Sequence, residues 1–333
     1  MKKLLGALAA LALVSGAALA LLERAVTSPG TGSGHVMFEA RRGDSTRAVA
    51  RNLQARGAVD SALLFELEMR WRNRGQSVKA GEYRIPLEYS TRQVAALLLS
   101  GKTWARPVTI PEGLSLREIA QEMEKAGMLK AEDFLAAAAL AAERMRRDGF
   151  PGESLEGYLF PDTYYFPKSI TPGAAVAVMV DTFRRKAGQV LPAEVTRDPA
   201  ALHRVVTLAS IIEKETGAGF ERPLISSVFH NRLKKKMLLQ SDPTVIYSLP
   251  SFDGNIRKKD LGHDSPYNTY RYRGLPPGPI ANPGVESLDA AWRPADSDYL
   301  YFVSKNNGEH YFSKTLAEHN RAVLTFQLGR GRK

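Results

Sequence analysis

The stretch Leu208-Ala209-Ser210-Ile211-Ile212-Glu213-Lys214-Glu215-Thr216-Gly217 sets two carboxylates into the end of an otherwise apolar helix. A helix of this kind must be packed by the rest of the chain, while its last turn holds charge where charge is costly. Leu202, Val205, Val206, Ala209 and Ile212 recur at helical spacing, and Gly217 is the expected stop. Glu213 and Glu215 are two residues apart, so at roughly 100° per residue they point about 200° away from each other. At most one of them faces a given cleft. Glu213 falls inside the Leu202/Val205/Val206/Ala209 stripe and Glu215 falls between Leu208 and Ile211 on its flank, so periodicity does not choose. A carboxyl held against apolar neighbours has a raised pKa, which a general acid working near neutral pH needs. The same two residues also read as solvated charges at a frayed helix end.

The 333 residues allow two or three domains with a sizeable core. The absence of cysteine excludes disulfides, thiolate nucleophiles and Cys-based metal sites. A formal charge of +11 invites a nucleic-acid partner, but the basic residues are dispersed without a zinc-finger or RNP-type motif, so none is expected. A basic surface facing anionic lipid or an anionic wall polymer accounts for the charge as well. His203, His230, His263, His310 and His319 lack metal-site spacing, and neither a Gly-x-Ser-x-Gly elbow nor a Walker loop is present. Neither a metal nor a cofactor is expected.

Residues Leu4 to Leu22 form an uncharged Leu/Ala-rich run after Lys2 and Lys3, long enough to cross roughly 30 Å of bilayer core. The lysines predict a cytoplasmic N-terminus and export of all residues beyond the run. Ala18-Leu19-Ala20 also fits a signal-peptide cleavage site, although the apolar run continues past it. Residues 1–26 are thus expected to be cytoplasmic tip and anchor, and the Gly/Ser-rich residues 27–34 a flexible tether.

Between His35 and Lys102 the pattern alternates short strands and helices: strands at Val36 to Glu39 and Tyr83 to Ile85, helices from Thr46, Ser61 and Thr91. Gly43-Asp44-Ser45-Thr46-Arg47 returns in kind as Gly113-Leu114-Ser115-Leu116-Arg117, and Ser90-Thr91-Arg92 is a third variant. Each copy places a serine ahead of a helix and a glycine after it, and Ser115 with Glu118 has capping-box spacing. Ala131 to Met145 is a strong helix former, and a further helix is expected around Ala174 to Lys186. Gly157-Tyr158-Leu159-Phe160-Pro161-Asp162-Thr163-Tyr164-Tyr165 reads equally as core or as an aromatic sugar-binding groove. Pro243 predicts a helix start with Asp242 as its N-cap.

Beyond the glutamates lie Ser227-Val228-Phe229-His230-Asn231-Arg232-Leu233, Leu239-Gln240-Ser241-Asp242-Pro243-Thr244-Val245-Ile246-Tyr247, Ser265-Pro266-Tyr267-Asn268-Thr269-Tyr270 and Gly274-Leu275-Pro276-Pro277-Gly278-Pro279-Ile280-Ala281-Asn282-Pro283-Gly284. With these blocks in order, the chain closely resembles the MltG/YceG-like endolytic murein transglycosylases from its apolar run to Tyr301-Phe302-Val303 and His319-Asn320. The resemblance implies an α+β protein with a single N-terminal transmembrane helix, a LysM-like subdomain at 35–104 and a YceG-like catalytic domain at 105–333, with a second repeat-like unit near 107–130. It implies a periplasmic enzyme on the bacterial inner membrane, acting on peptidoglycan glycan strands beside their synthases. The catalytic residue of the family corresponds to Glu215. Glu213, Asn231, Gln240, Ser241, Asp242, Tyr267 and Asn268 are the candidate substrate contacts. Rival expectations are a muramidase using Asp242 or Glu213 as a second carboxylate, and a non-catalytic wall-binding scaffold.

Overall fold

Local sequence signals place most helix starts, beginning with a run of serine caps. A computed structural model describes residues 2–329, with the side chains of 2–7, 9 and 12 outside that description. It divides the chain into two units, residues 1–106 with 165–169, and residues 107–164 with 170–333.

The first unit holds α1 (Lys2–Thr27), β1 (His35–Ala40), α2 (Thr46–Ala55), α3 (Ala62–Trp71), β2 (Gly81–Pro86) and α4 (Thr91–Ser100). Ser45, Ser61 and Ser90 are the N-caps of α2, α3 and α4, each accepting a backbone N–H of the first turn. β1 and β2 pair antiparallel, with Phe38 opposite Tyr83 and Val36 opposite Ile85. Phe38, Tyr83 and Ile85 alternate with outward residues, so one face of the ribbon meets Leu53, Phe65 and Leu98 from the three helices in a single core. The buried Tyr83 hydroxyl stays satisfied by donating to the carbonyl of Lys79 at 2.7 Å.

Two observations bear on the expected anchor and tether. Among the described residues, no helix is long and apolar enough to cross a membrane. Part of the Leu4 to Leu22 run has side chains outside the description, and Leu8, Leu11, Leu13, Leu19 and Leu21 are exposed while Leu22 is half-buried. Within the expected tether, Gly30 and Gly34 make backbone hydrogen bonds to the residues after β2. The N–H of Gly30 donates to the carbonyl of Glu88 at 3.1 Å, and Leu87 donates to the carbonyl of Gly34 at 3.0 Å.

β3 (Ala105–Thr109) and β4 (Thr163–Pro167) form a second two-stranded sheet. The second unit then contains α5 (Leu116–Lys125), α6 (Ala131–Arg147), α7 (Pro172–Val190), α8 (Ala193–Arg197), α9 (Pro199–Glu215), α10 (Arg222–Lys234), α11 (Asp242–Ser248) and α12 (Val285–Trp292). The hairpin β5 (Tyr301–Ser304) and β6 (His310–Ser313) and the final helix α13 (Leu316–Phe326) complete it. Ser115 caps α5 in a complete capping box with Glu118. Ser115→Ala should therefore cost about 1 kcal/mol in a denaturant melt, the usual worth of such a cap, and leave the folded structure otherwise unchanged.

Every residue of α9 from Val205 to Ile212 is buried, not only one stripe. α9 is a central helix packed by α8, α10, α11 and α12, and all-round burial is the reason its wheel did not distinguish the two glutamates. Its buried Ser210 is satisfied on both sides, donating to the carbonyl of Thr207 at 2.7 Å and accepting the N–H of Ile280 at 3.0 Å. The helix stops at Glu215 with an extended Thr216 as C-cap, so Gly217 is not a left-handed stop. Gly217 is required for space, since a Cβ there would meet the carbonyl oxygen of Gly308 at 2.7 Å.

Candidate active site

Three turns bring polar groups to the C-terminal end of α9. α9 delivers Glu215, the end of α10 delivers Arg232, and the start of α11 delivers Gln240, Ser241 and Asp242. Glu215, Arg232, Gln240 and Asp242, with Leu239, Tyr270, Tyr301, Phe302, Leu316 and His319, line a cleft of about 290 Å³, and Ser241 is buried behind it.

Glu215 keeps part of its surface open to the cleft, while its carboxyl group is closely surrounded by protein. Burial is the largest influence and pushes its pKa from 4.5 to about 7. The Ser241 hydroxyl, donating to Glu215 Oε1 at 2.6 Å, pulls the other way. The nearby Asp242 carboxylate raises it further and the Arg232 guanidinium lowers it. The balance leaves a carboxyl poised between acid and conjugate base near neutral pH, as proton delivery and recovery require.

The surroundings of Glu215 are rigid. Gln240 sits in the left-handed region at φ +51°, a costly conformation for a residue with a side chain. It is secured by its N–H donating to the carbonyl of Thr269 at 3.1 Å. The N–H of Ser241 donates to Thr269 Oγ1 at 3.0 Å. Ser241, not Asp242, is the N-cap of α11, and it makes no side-chain cap because its hydroxyl serves Glu215. Asp242 is thereby free of a capping role, and its Oδ1 accepts the Tyr270 hydroxyl at 2.6 Å. Arg232 is spent mainly on backbone, donating to the carbonyls of Leu300 at 2.6 Å and Leu239 at 2.7 Å beneath the Tyr301 ring.

Glu213 points elsewhere. Its Oε1 meets Arg222 Nη2 at 3.2 Å and its Oε2 accepts the N–H of Gly284 at 2.9 Å, with its side chain only 7% exposed. It is a structural tie between α9, α10 and the loop that enters α12. A Cβ at Gly284 would displace the Glu112 carboxylate, whose nearer oxygen would lie 1.9 Å from it.

Three other expected contacts are likewise used by the fold. The Asn231 amide donates to the carbonyls of Ser297 at 2.7 Å and Tyr299 at 3.0 Å. Asn268 is fully buried and donates to the carbonyls of Leu261 and His263. Tyr267 packs against Tyr247, with ring centroids 5.1 Å apart, and does not line the cleft. Tyr158, Phe160 and Tyr164 belong to the core, which removes them as an aromatic sugar groove, while Tyr165 is exposed.

Sequence patterns passed over Arg232, Tyr270, Leu316 and His319 as cleft residues, and Glu156 altogether. Glu156 is a second buried carboxyl, raised to about 7 chiefly by burial. It accepts the N–H of Leu116 at 2.9 Å, the Asn282 amide at 3.0 Å and the Tyr247 hydroxyl at 3.2 Å. Asn282 in turn accepts the N–H of Leu159 at 2.9 Å, so the Pro/Gly-rich loop 276–284 is fastened to its neighbours by buried polar groups. Among the described residues no group of three or more His, Asp or Glu is placed to hold a metal ion.

The sequence profile of the YceG-like family matches residues 38–325. An endolytic murein transglycosylase of Bacillus subtilis (strain 168) is 36% identical over 294 residues, covering 84% of this chain and 81% of the relative. An endolytic murein transglycosylase of Streptococcus pneumoniae (strain D39) is 30% identical over 312 residues, and the match spans 56% of that longer protein. The crystal structure of a YceG-like protein from Listeria monocytogenes superimposes with a TM-score of 0.60 at 35% identity, covering 87% of this chain and all of the other. The chain belongs to the YceG-like family.

Proposed function

We propose that this chain is an endolytic murein transglycosylase that cuts glycan strands between N-acetylmuramic acid and N-acetylglucosamine, with Glu215 as its acid and base. The observation that carries the reading is Glu215 itself, a carboxyl raised to about 7 in an open cleft and hydrogen-bonded by Ser241 at 2.6 Å. Protonated Glu215 gives its proton to the glycosidic oxygen as the C1–O bond breaks. The muramic C6 hydroxyl then attacks C1, and Glu215, now a carboxylate, takes its proton. A 1,6-anhydro ring closes and water is not consumed. The Ser241 hydroxyl steadies the carboxylate between the two transfers, since a hydrogen bond to an ionised acceptor is stronger than one to a neutral acceptor. Gln240 and Asp242, at the cleft wall, are placed to hold sugar hydroxyls, and Tyr270, Tyr301 and Phe302 supply apolar faces for pyranose rings.

Asp242 shares the cleft with Glu215, which keeps a hydrolytic reading testable. Mass spectrometry of digested murein is expected to show anhydromuramyl ends formed internally along the strand. Reducing muramic ends would make the chain a muramidase with Asp242 as second carboxylate, and unchanged glycan would make it a scaffold.

In this reading α1, with its exposed leucines, is the inner-membrane anchor, its N-terminus cytoplasmic and the rest of the first unit and the whole second unit periplasmic. The first unit, a small helix-backed ribbon, is a LysM-like glycan-holding module. Nascent strands bring the enzyme beside the synthases that extend them, so cross-linking in growing cells should capture those synthases.

A further inference from the structure

The end of α1 is docked onto the first unit. Val26 is 2% exposed, and α1 packs against α3 and α4. Glu23 is bound by Arg72 at 2.9 Å and by Arg92 at 2.6 Å, and Arg92 also reaches Glu68 at 2.9 Å. Glu23 follows Leu22, the last residue of the apolar run, so these ion pairs hold the C-terminal end of α3 at the level where that run stops. There α3 ends in Arg70-Trp71-Arg72, with Arg74 just beyond it, and all four are exposed. Trp71 is 53% exposed, and its indole N–H has no hydrogen-bond partner among the described residues. Arg24 and Arg70 have no acidic partner among the described residues, while Glu23 and Glu68 are already neutralised by Arg72 and Arg92.

We infer that Arg70 and Trp71 of α3 and Arg74 just beyond it, with Arg24 of α1, form a rim that seats on the headgroups of anionic phospholipid at the foot of the anchor. The inference rests on the proposed reading of α1 as that anchor. The chemistry is specific to a bilayer interface. A tryptophan ring takes the level between chains and water, where its apolar body is covered and its N–H finds oxygen. Arginine lays its stem on the apolar side and turns its guanidinium to phosphate, which it binds through two parallel bonds. Each arginine near an anionic surface adds roughly a fivefold preference for it. Seated in this way, the first unit would hold a captured strand close to the membrane.

Quenching by brominated lipid tests the rim in the full chain. Trp104→Phe with Trp292→Phe leaves Trp71 as the single tryptophan. A companion chain carries Trp71→Phe and Leu13→Trp as well, so that it reports the anchor alone. In vesicles of phosphatidylglycerol and phosphatidylcholine, Trp71 should be blue-shifted and quenched more by shallow than by deep bromines. That quenching should fall about twofold or more in phosphatidylcholine alone, or on Arg70→Glu with Arg74→Glu. Circular dichroism checks that each chain is folded, and Arg74→Glu alone serves if the double variant is not. Quenching at position 13 with none at Trp71 overturns the rim and leaves the anchor standing. Quenching at neither position overturns both. A blue shift of Trp71 on adding soluble glycan strands, without lipid quenching, gives this surface to the wall polymer and also overturns the proposal.

Discussion

Glu215→Gln is expected to lower the yield of anhydromuramyl ends by at least roughly 10²- to 10⁴-fold, the contribution of a positioned acid and base, while the fold survives. Glutamine keeps the shape of the side chain and still accepts the Ser241 hydroxyl, but it has no proton to give. The same substitution should change stability in a pH-dependent direction. The Glu215 carboxyl titrates near 7 in the folded protein and near the ordinary 4.5 in the unfolded chain. Between those values the folded state holds the extra proton, so stability falls as pH rises through the window. The penalty is absent below about 4.5 and complete above about 7, where at ~1.4 kcal/mol per pH unit it reaches roughly 3 kcal/mol. Glu215→Gln removes it. The variant should melt with the wild type at pH 4 and above it at pH 8. Glu156, raised to a similar value, is common to both proteins and cancels in the difference. An active glutamine variant, or one that melts with the wild type at both pH values, would remove Glu215 from its assigned role.

The sequence announced the helices of the first unit well because their starts are local. Ser45, Ser61 and Ser90 cap the helices they precede, as Ser115 does for α5 in the second unit, and a cap is fixed by neighbours within one turn. α9 was legible as a helix but not as to which glutamate mattered, since its buried surface extends all the way round and a wheel has no direction to report. The resemblance singled out Glu215. Its place in an open cleft follows from Arg232, Ser241 and Tyr270, far apart in the chain and visible together only once the chain is folded. The polar candidates divided for a related reason. Asn231 and Asn268 occur in the right blocks but spend their amides on backbone carbonyls, and a sequence does not distinguish an asparagine that holds a loop from one that holds a sugar. Asp242 beside Pro243 looked like a cap because that pairing is a local rule, which a tertiary bond overrode when Ser241 took the cap position and Glu215 took its hydroxyl.

Arg222→Met should be the most destabilising of the substitutions considered, by about 3 to 5 kcal/mol, because it strips the partner from a buried charge. Arg222 is 13% exposed and Glu213 7%, and their contact at 3.2 Å is supplemented by Glu286 at 2.6 Å and Ser287 at 3.1 Å. The guanidinium thus ties α10 to the end of α9 and to the first turn of α12. Methionine fills much of the same volume but leaves the Glu213 carboxylate enclosed, with the N–H of Gly284 as its remaining partner. A companion substitution separates unpaired charge from lost packing. Adding Glu213→Gln to Arg222→Met should restore part of the stability, since the amide still accepts from Gly284 without carrying charge, whereas a packing defect would not improve. Because Glu213 lies outside the cleft, Glu213→Gln alone should keep most of its turnover, assayed below its melting temperature. A stable Glu213→Gln with no anhydromuramyl product, beside an active Glu215→Gln, would move the catalytic acid two residues earlier.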